Sequence, residues 1–159
     1  RRPNLLLHAR QFKLGNFTIK PFDIQHDAAQ PMGFLISHPE TGKILFITDS
    51  FYSDYVFHGL SHILVETNFS DEILKENIES GVISDAQKTR LLTSHMSLKT
   101  AKELLSANDL SKVVNIVLIH LSDRNANPVL FKSEVERHTG KIVNIASKGL
   151  TLSFNKEGF

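Results

Sequence analysis

The chain has 159 residues, 41% hydrophobic and 22% charged, with a formal net charge of +1 at pH 7. That length suits one domain with a sizeable core, and the charge excludes a global field that would draw in nucleic acid or an acidic membrane, although a basic surface can still be local. There is no cysteine, which excludes disulfides and thiolate metal sites and leaves His, Asp and Glu to hold any metal.

No apolar run is long enough to cross a bilayer. The opening Arg1-Arg2-Pro3-Asn4-Leu5-Leu6-Leu7 is basic, then apolar, but its apolar part is too short for a signal-peptide core. A cysteine-free chain fits a reducing compartment. The expectation is a cytoplasmic protein with no membrane contact.

Asn4 to Gln11 and Phe17 to Ile24 read as strands joined by a turn at Gly15-Asn16. Met32 to Ser37 and Lys43 to Thr48 read as a hairpin around Pro39-Glu40-Thr41-Gly42. His62 to Glu66 is a short buried strand. Ser70 is placed to cap a helix that carries Ile73, Leu74 and Ile78 on one face and stops at Gly81. Asp85 to Leu92 is a second helical piece. Ser97 caps a helix to Ala107 with Ala101, Leu104 and Leu105 facing inward. Val113 to His120 is a β-branched run. Asn127 to His138 is helical, with Pro128 at its first position and Gly140 as its stop. Ile142 to Ala146 and Leu150 to Phe154 read as closing strands. Strands first, then strands alternating with helices, predicts a mixed α/β (α+β) domain over 1–159, a sheet with helices packed on it.

The chemistry sits where strands stop. Phe22-Asp23-Ile24-Gln25 ends on His26-Asp27, the run to Thr48 on Asp49-Ser50, Ile63-Leu64-Val65 on Glu66-Thr67-Asn68, and Val113 to Ile119 on His120. Charged and imidazole groups are costly to bury unpaired, so strand exits display them, and a site gathered from several exits is how a rigid scaffold positions reactive groups. Each residue also has a plainer reading. Asp49 alone is a turn or cap residue, His120 a satisfied strand-end histidine, and Glu66 a solvated carboxylate. His8, His38, His58, His62 and His138 keep that plainer reading.

Five stretches in order, "QHDAAQPMGFLI", "GKILFITDS", "ILVETN", "SHMSLKTAKELL" and "IVLIHLSDRNANP", resemble the later motifs of the metallo-β-lactamase superfamily. The branch they resemble most is the single-domain one of bacterial exonucleases and the tRNA 3′-processing endonuclease. The likeness runs from about Phe17 to Pro128. It implies the C-terminal part of an αββα sandwich, with His26, Asp49 and His120 as metal ligands and Asp49 as the bridge between two ions. It makes Glu66 and Asn68 further site candidates, and gives His95, in His95-Met96-Ser97, a catalytic role toward the scissile phosphate beside Asp49. The implied cofactor is a divalent zinc or manganese ion, which lowers the pKa of a coordinated water to about 7. The free N–H groups at the start of the helix after His95 suit an anion; the plainer reading of His95 is a helix-flanking residue.

The superfamily's His-x-His-x-Asp-His segment is absent from the chain. The expectation is therefore a domain incomplete at its N-terminus, with the metal reduced to at most one ion or lost. Self-association, or a separate N-terminal piece, would then pack through the early strands Asn4 to Ile24. Two functions stay open: a metal-dependent hydrolase of phosphodiester or nucleic-acid substrates, or a non-catalytic remnant serving as a structural or interaction module.

Overall fold

The computed structural model describes residues 10–157. Its strands form one sheet in sequential order, β1 (Phe12–Leu14), β2 (Phe17–Asp23), β3 (Met32–His38), β4 (Gly42–Ile47), β5 (His62–Glu66), β6 (Asn115–Ile119) and β7 (Ile142–Ile145). β1 to β4 pair antiparallel, and β4 to β7 pair parallel. Helices α1 (Asp71–Glu79), α2 (Asp85–Ser94) and α3 (Leu98–Ala107) lie between β5 and β6, and α4 (Pro128–Thr139) between β6 and β7.

Local chemistry explains the helix ends. Ser70, Ser84, Ser97 and Asn127 each accept a backbone N–H of the first turn, and Gln87 returns the bond to Ser84. Gly140 stops α4 at φ 66°, a left-handed conformation that glycine adopts without strain.

The alternation of each parallel strand decides what it buries. Leu45 and Ile47 of β4, Ile63 and Val65 of β5, and Ile116 and Leu118 of β6 share one face, sealed by Leu98, Ala101 and Leu105 of α3 and by Phe131 and Val135 of α4. Each such side chain contributes about 1.5–3 kcal/mol by leaving water. Gly33 belongs to the same packing: a Cβ there would sit 2.5 Å from the Phe22 ring, so only glycine lets β2 and β3 close. On the second face, Phe34, Ile36, Ile44, Phe46 and Leu64 are only half-buried.

Two expectations change. Leu150 to Phe154 forms no strand. Its alternation is that of a half-buried strand, but the segment leaves the edge of the sheet. Phe154 stacks on His62 of β5, and the Lys156 N–H donates to the Glu40 carbonyl in the β3–β4 turn. Of the expected strand Asn4 to Gln11, residues 4–9 lie outside the described residues; the first strand there starts at Phe12. No helix among the described residues is long and apolar enough to cross a membrane.

Candidate metal centre

β2 runs parallel to β4 across the antiparallel β3, so the exits of β2, β4, β5 and β6 all open at one end of the sheet. Backbone bonds stitch them together. The Phe51 N–H donates to the Gln25 carbonyl and the Gln25 N–H to Ser50 Oγ, which holds the His26 corner against the Asp49 corner. The Thr67 N–H donates to the Ile119 carbonyl, the Asn68 N–H to the Met96 carbonyl and the Ser122 N–H to the Asn68 carbonyl. Asp49 and His120 take φ of 52° and 55°, the only non-glycine residues with positive φ among those described. Such backbone costs on the order of 1–3 kcal/mol and concentrates at functional sites. Here it turns two side chains off flanking strands toward one point.

His26, Asp49 and His120 do come together, although far apart in sequence. His26 Nε2 lies 3.9 Å and His120 Nδ1 3.5 Å from Asp49 Oδ1. His95, which its sequence spacing sets apart from the ligand candidates, joins them. One donor atom each of His26, Asp49 and His95, and one each of Glu66, His95 and His120, lie within 4.8 Å of one another. Ligand atoms around one tetrahedral ion stand about 3.4 Å apart, so imidazoles and carboxylates occur here at ligand-like spacing. The donor set fits zinc or manganese.

Glu66 is fully buried rather than solvated. Its Oε2 accepts the Ser50 N–H at 2.8 Å, while Oε1 stands 2.7 Å from His95 Nδ1 and 2.8 Å from His120 Nδ1. A carboxylate oxygen that close to two ring nitrogens accepts from both, which fixes each neutral ring as its Nδ1–H tautomer and leaves its Nε2 lone pair for another partner. The bond to Glu66 also raises the pKa of His95 above its ordinary value, against the opposing pull of burial. His26 Nδ1 has a neighbour for each tautomer: Asp27 Oδ1 at 3.0 Å accepts a proton there, and the Ala28 N–H at 3.0 Å donates to the bare nitrogen. The Asn68 amide donates to the His120 carbonyl at 2.8 Å, a bond that holds the turned backbone.

Ser50 was not singled out by the sequence, yet it is fully buried and joins two strand exits to Glu66. A serine following an aspartate at a strand exit was the available signal.

No known family model matches the chain, and no curated protein matches it. Solved structures do. A metallo-β-lactamase fold protein, YhfI from Bacillus subtilis, is 18% identical, with a TM-score of 0.67 over 91% of this chain and 52% of its own. A metallo hydrolase from the hyperthermophilic archaeon Ignicoccus hospitalis is 14% identical, with a TM-score of 0.61 over 92% of this chain and 58% of its own. The short form of human tRNase Z is 17% identical, with a TM-score of 0.54 over 90% of this chain and 45% of its own. The chain thus spans about half the length of the structures it matches, and from Arg10 onward its described part has the metallo-β-lactamase fold.

Proposed function

We propose that the chain carries the metal-binding half of a metal-dependent hydrolase that cleaves phosphodiesters. The observation that supports this most is that Asp49 lies beside both His26 and His120, while the buried Glu66 lies beside His120 and His95. His26, Asp49 and His120 would hold the ion, which supplies Lewis-acid polarisation of a phosphoryl oxygen when bound. Glu66 orients His95 and His120. His95 holds a proton more firmly than a free histidine, because Glu66 accepts from its Nδ1; its Nε2 is then the atom that can pass a proton to a leaving oxygen.

The test is elemental analysis of the purified chain beside cleavage of a simple phosphodiester with added manganese or zinc. The expected result is at most one ion per chain, held weakly, and slow cleavage. A chain that retains no metal at millimolar supply would end this reading. His95→Ala should keep its metal and lose turnover; loss of metal would make His95 a ligand.

The half-buried second face of the sheet supports a companion proposal, self-association or cover by a separate segment. Light scattering of the chain at high concentration should give more than the monomer mass, and a strict monomer counts against self-association.

A further inference from the structure

The end of the sheet away from the metal-ligating cluster holds a second concentration of charge. The β1–β2 turn, the last residues of β3 and the entries of β4, β5 and β6 meet there around a cavity of about 1030 Å³ that opens to solvent. The length of β5, about 13 Å at roughly 3.3 Å per residue, separates it from Glu66. Four lysines line it, Lys13, Lys43, Lys112 and Lys156, with one carboxylate, Glu157. In a chain whose formal net charge is +1, that is a local excess of cations. Lys75, Lys102 and Lys132 on the helices each pair with a glutamate. Lys13, Lys112 and Lys156 have no such ion pair among the described residues. Asp109 feels the charge of Lys112, but its carboxylate accepts the Ser111 N–H at 2.9 Å.

The wall of this cavity is held in place by backbone. Gly42 has φ 74°, and a Cβ there would collide with Ser61 Oγ, so glycine lets the β3–β4 turn close on the entry of β5. The Lys43 N–H donates to Ser61 Oγ at 3.3 Å, and Lys43 Nζ donates to the His58 carbonyl at 2.7 Å. The second bond pins the ammonium and leaves it two N–H donors for another acceptor. The bond from the Lys156 N–H to the Glu40 carbonyl brings Lys156 to the same rim. His38 also lines the cavity, and its Nδ1 accepts the Glu40 N–H at 3.3 Å. Its neutral ring therefore carries the proton on Nε2, which makes it a further donor.

Cations and donors around one hollow suit an anion, and a lysine ammonium binds phosphate as a point charge. Their spread decides the kind of anion. The volume stands at the upper end of the range for small-molecule sites, about 300–1,000 Å³, and a single phosphate is too small to reach lysines from four segments across it. A ligand with several anionic groups can. A hollow also favours a small ligand over a membrane or a duplex, which present broad surfaces. We infer that this cavity binds a small molecule carrying two or more phosphate groups. The inference does not rest on the hydrolase reading, because no residue of the metal-ligating cluster lines the cavity.

Inorganic tripolyphosphate is the probe. It also chelates metal, so the chain is first stripped of divalent ions and dialysed free of the chelator. Calorimetry should find tripolyphosphate about tenfold tighter than orthophosphate, the gain of a further hydrogen bond between charged groups, and weaker as salt rises. Lys112 and Lys156 are exposed, so replacing them should leave the fold intact. Lys112→Ala and Lys156→Ala should each weaken tripolyphosphate about three- to tenfold, and Glu157→Gln should tighten it. Lys99→Ala removes the same charge from the first turn of α3, beside His95, and should change nothing. An equal loss in Lys99→Ala, or no loss in Lys112→Ala and Lys156→Ala, overturns the inference. Orthophosphate that binds as tightly as tripolyphosphate does the same. A single-stranded oligonucleotide or phosphatidylserine vesicles that bind more tightly than tripolyphosphate, and lose affinity in Lys112→Ala, would give the cavity to a larger polyanion and overturn the small-ligand assignment.

Discussion

His62 and Glu66 occupy the two ends of β5, four residues apart and on one face of the sheet, and both are fully buried. Burial is the same; what surrounds it is not. His62 lies under Phe154, rings stacked at 4.3 Å and 8°. Its Nδ1 is 3.4 Å from the Asn115 amide, and its Nε2 finds no hydrogen-bond partner among the described residues. Burial lowers its pKa; backbone groups of Asn155 and Thr41 pull the other way, but neither stands at hydrogen-bond geometry to Nε2. Glu66 has the Ser50 N–H and two imidazoles directed at its oxygens. A buried group with an aromatic lid and an idle nitrogen is part of the packing. One whose two oxygens are both engaged, by groups from two other strand exits and a helix end, is part of a site.

The widest separation between the two ends should come from Asp49→Ala. Asp49 touches both His26 and His120, so its loss should cost more metal affinity than the about 10–100-fold typical of an orienting group. Competition with a chromogenic chelator measures it. An affinity within a few-fold of the parent would mean that the ion sits elsewhere.

Glu66→Gln comes next. An amide keeps the size but offers one oxygen where two rings now share a carboxylate, so about 10–100-fold of affinity should go. If Glu66→Gln binds metal as well as the parent, the two ends of β5 differ less than their contacts imply.

How much of this was legible follows from where each signal lies. Capping residues, β-branched runs and strand exits are local, so the helices and most strands could be read from the chain itself. Leu150 to Phe154 has the alternation of a strand, but nothing local says whether an edge is free to pair with it. His26, Asp49 and His120 each end an apolar run and could be listed as candidates. His95 follows a helix rather than a strand, and only the fold brings it to Glu66. The burial of Glu66 is equally non-local, since it depends on Ser50 and on two loops closing over it.

At the quiet end, Phe154→Leu should destabilise the chain by about 0.5–1.5 kcal/mol, the worth of an aromatic pair beyond its area. Urea unfolding at neutral pH reads this, and metal affinity should not move. A metal site disturbed by Phe154→Leu would show that the two ends are coupled along the strand.

The smallest effect is expected for His62→Leu at neutral pH. An apolar side chain of similar size removes an unpartnered polar nitrogen, a change that is near neutral or slightly stabilising. The pH dependence is more telling. The folded pKa of His62 lies below its ordinary 6.5, so below about pH 6.5 the unfolded chain binds a proton that the folded chain refuses. Stability therefore falls as the pH drops through that value and continues to fall until the folded pKa is reached. His62→Leu has no such proton to bind, so it should lose less stability than the parent between pH 7 and pH 5. Unfolding curves for the two proteins that stay parallel across that range would place His62 in a wetter setting than its stacking on Phe154 implies.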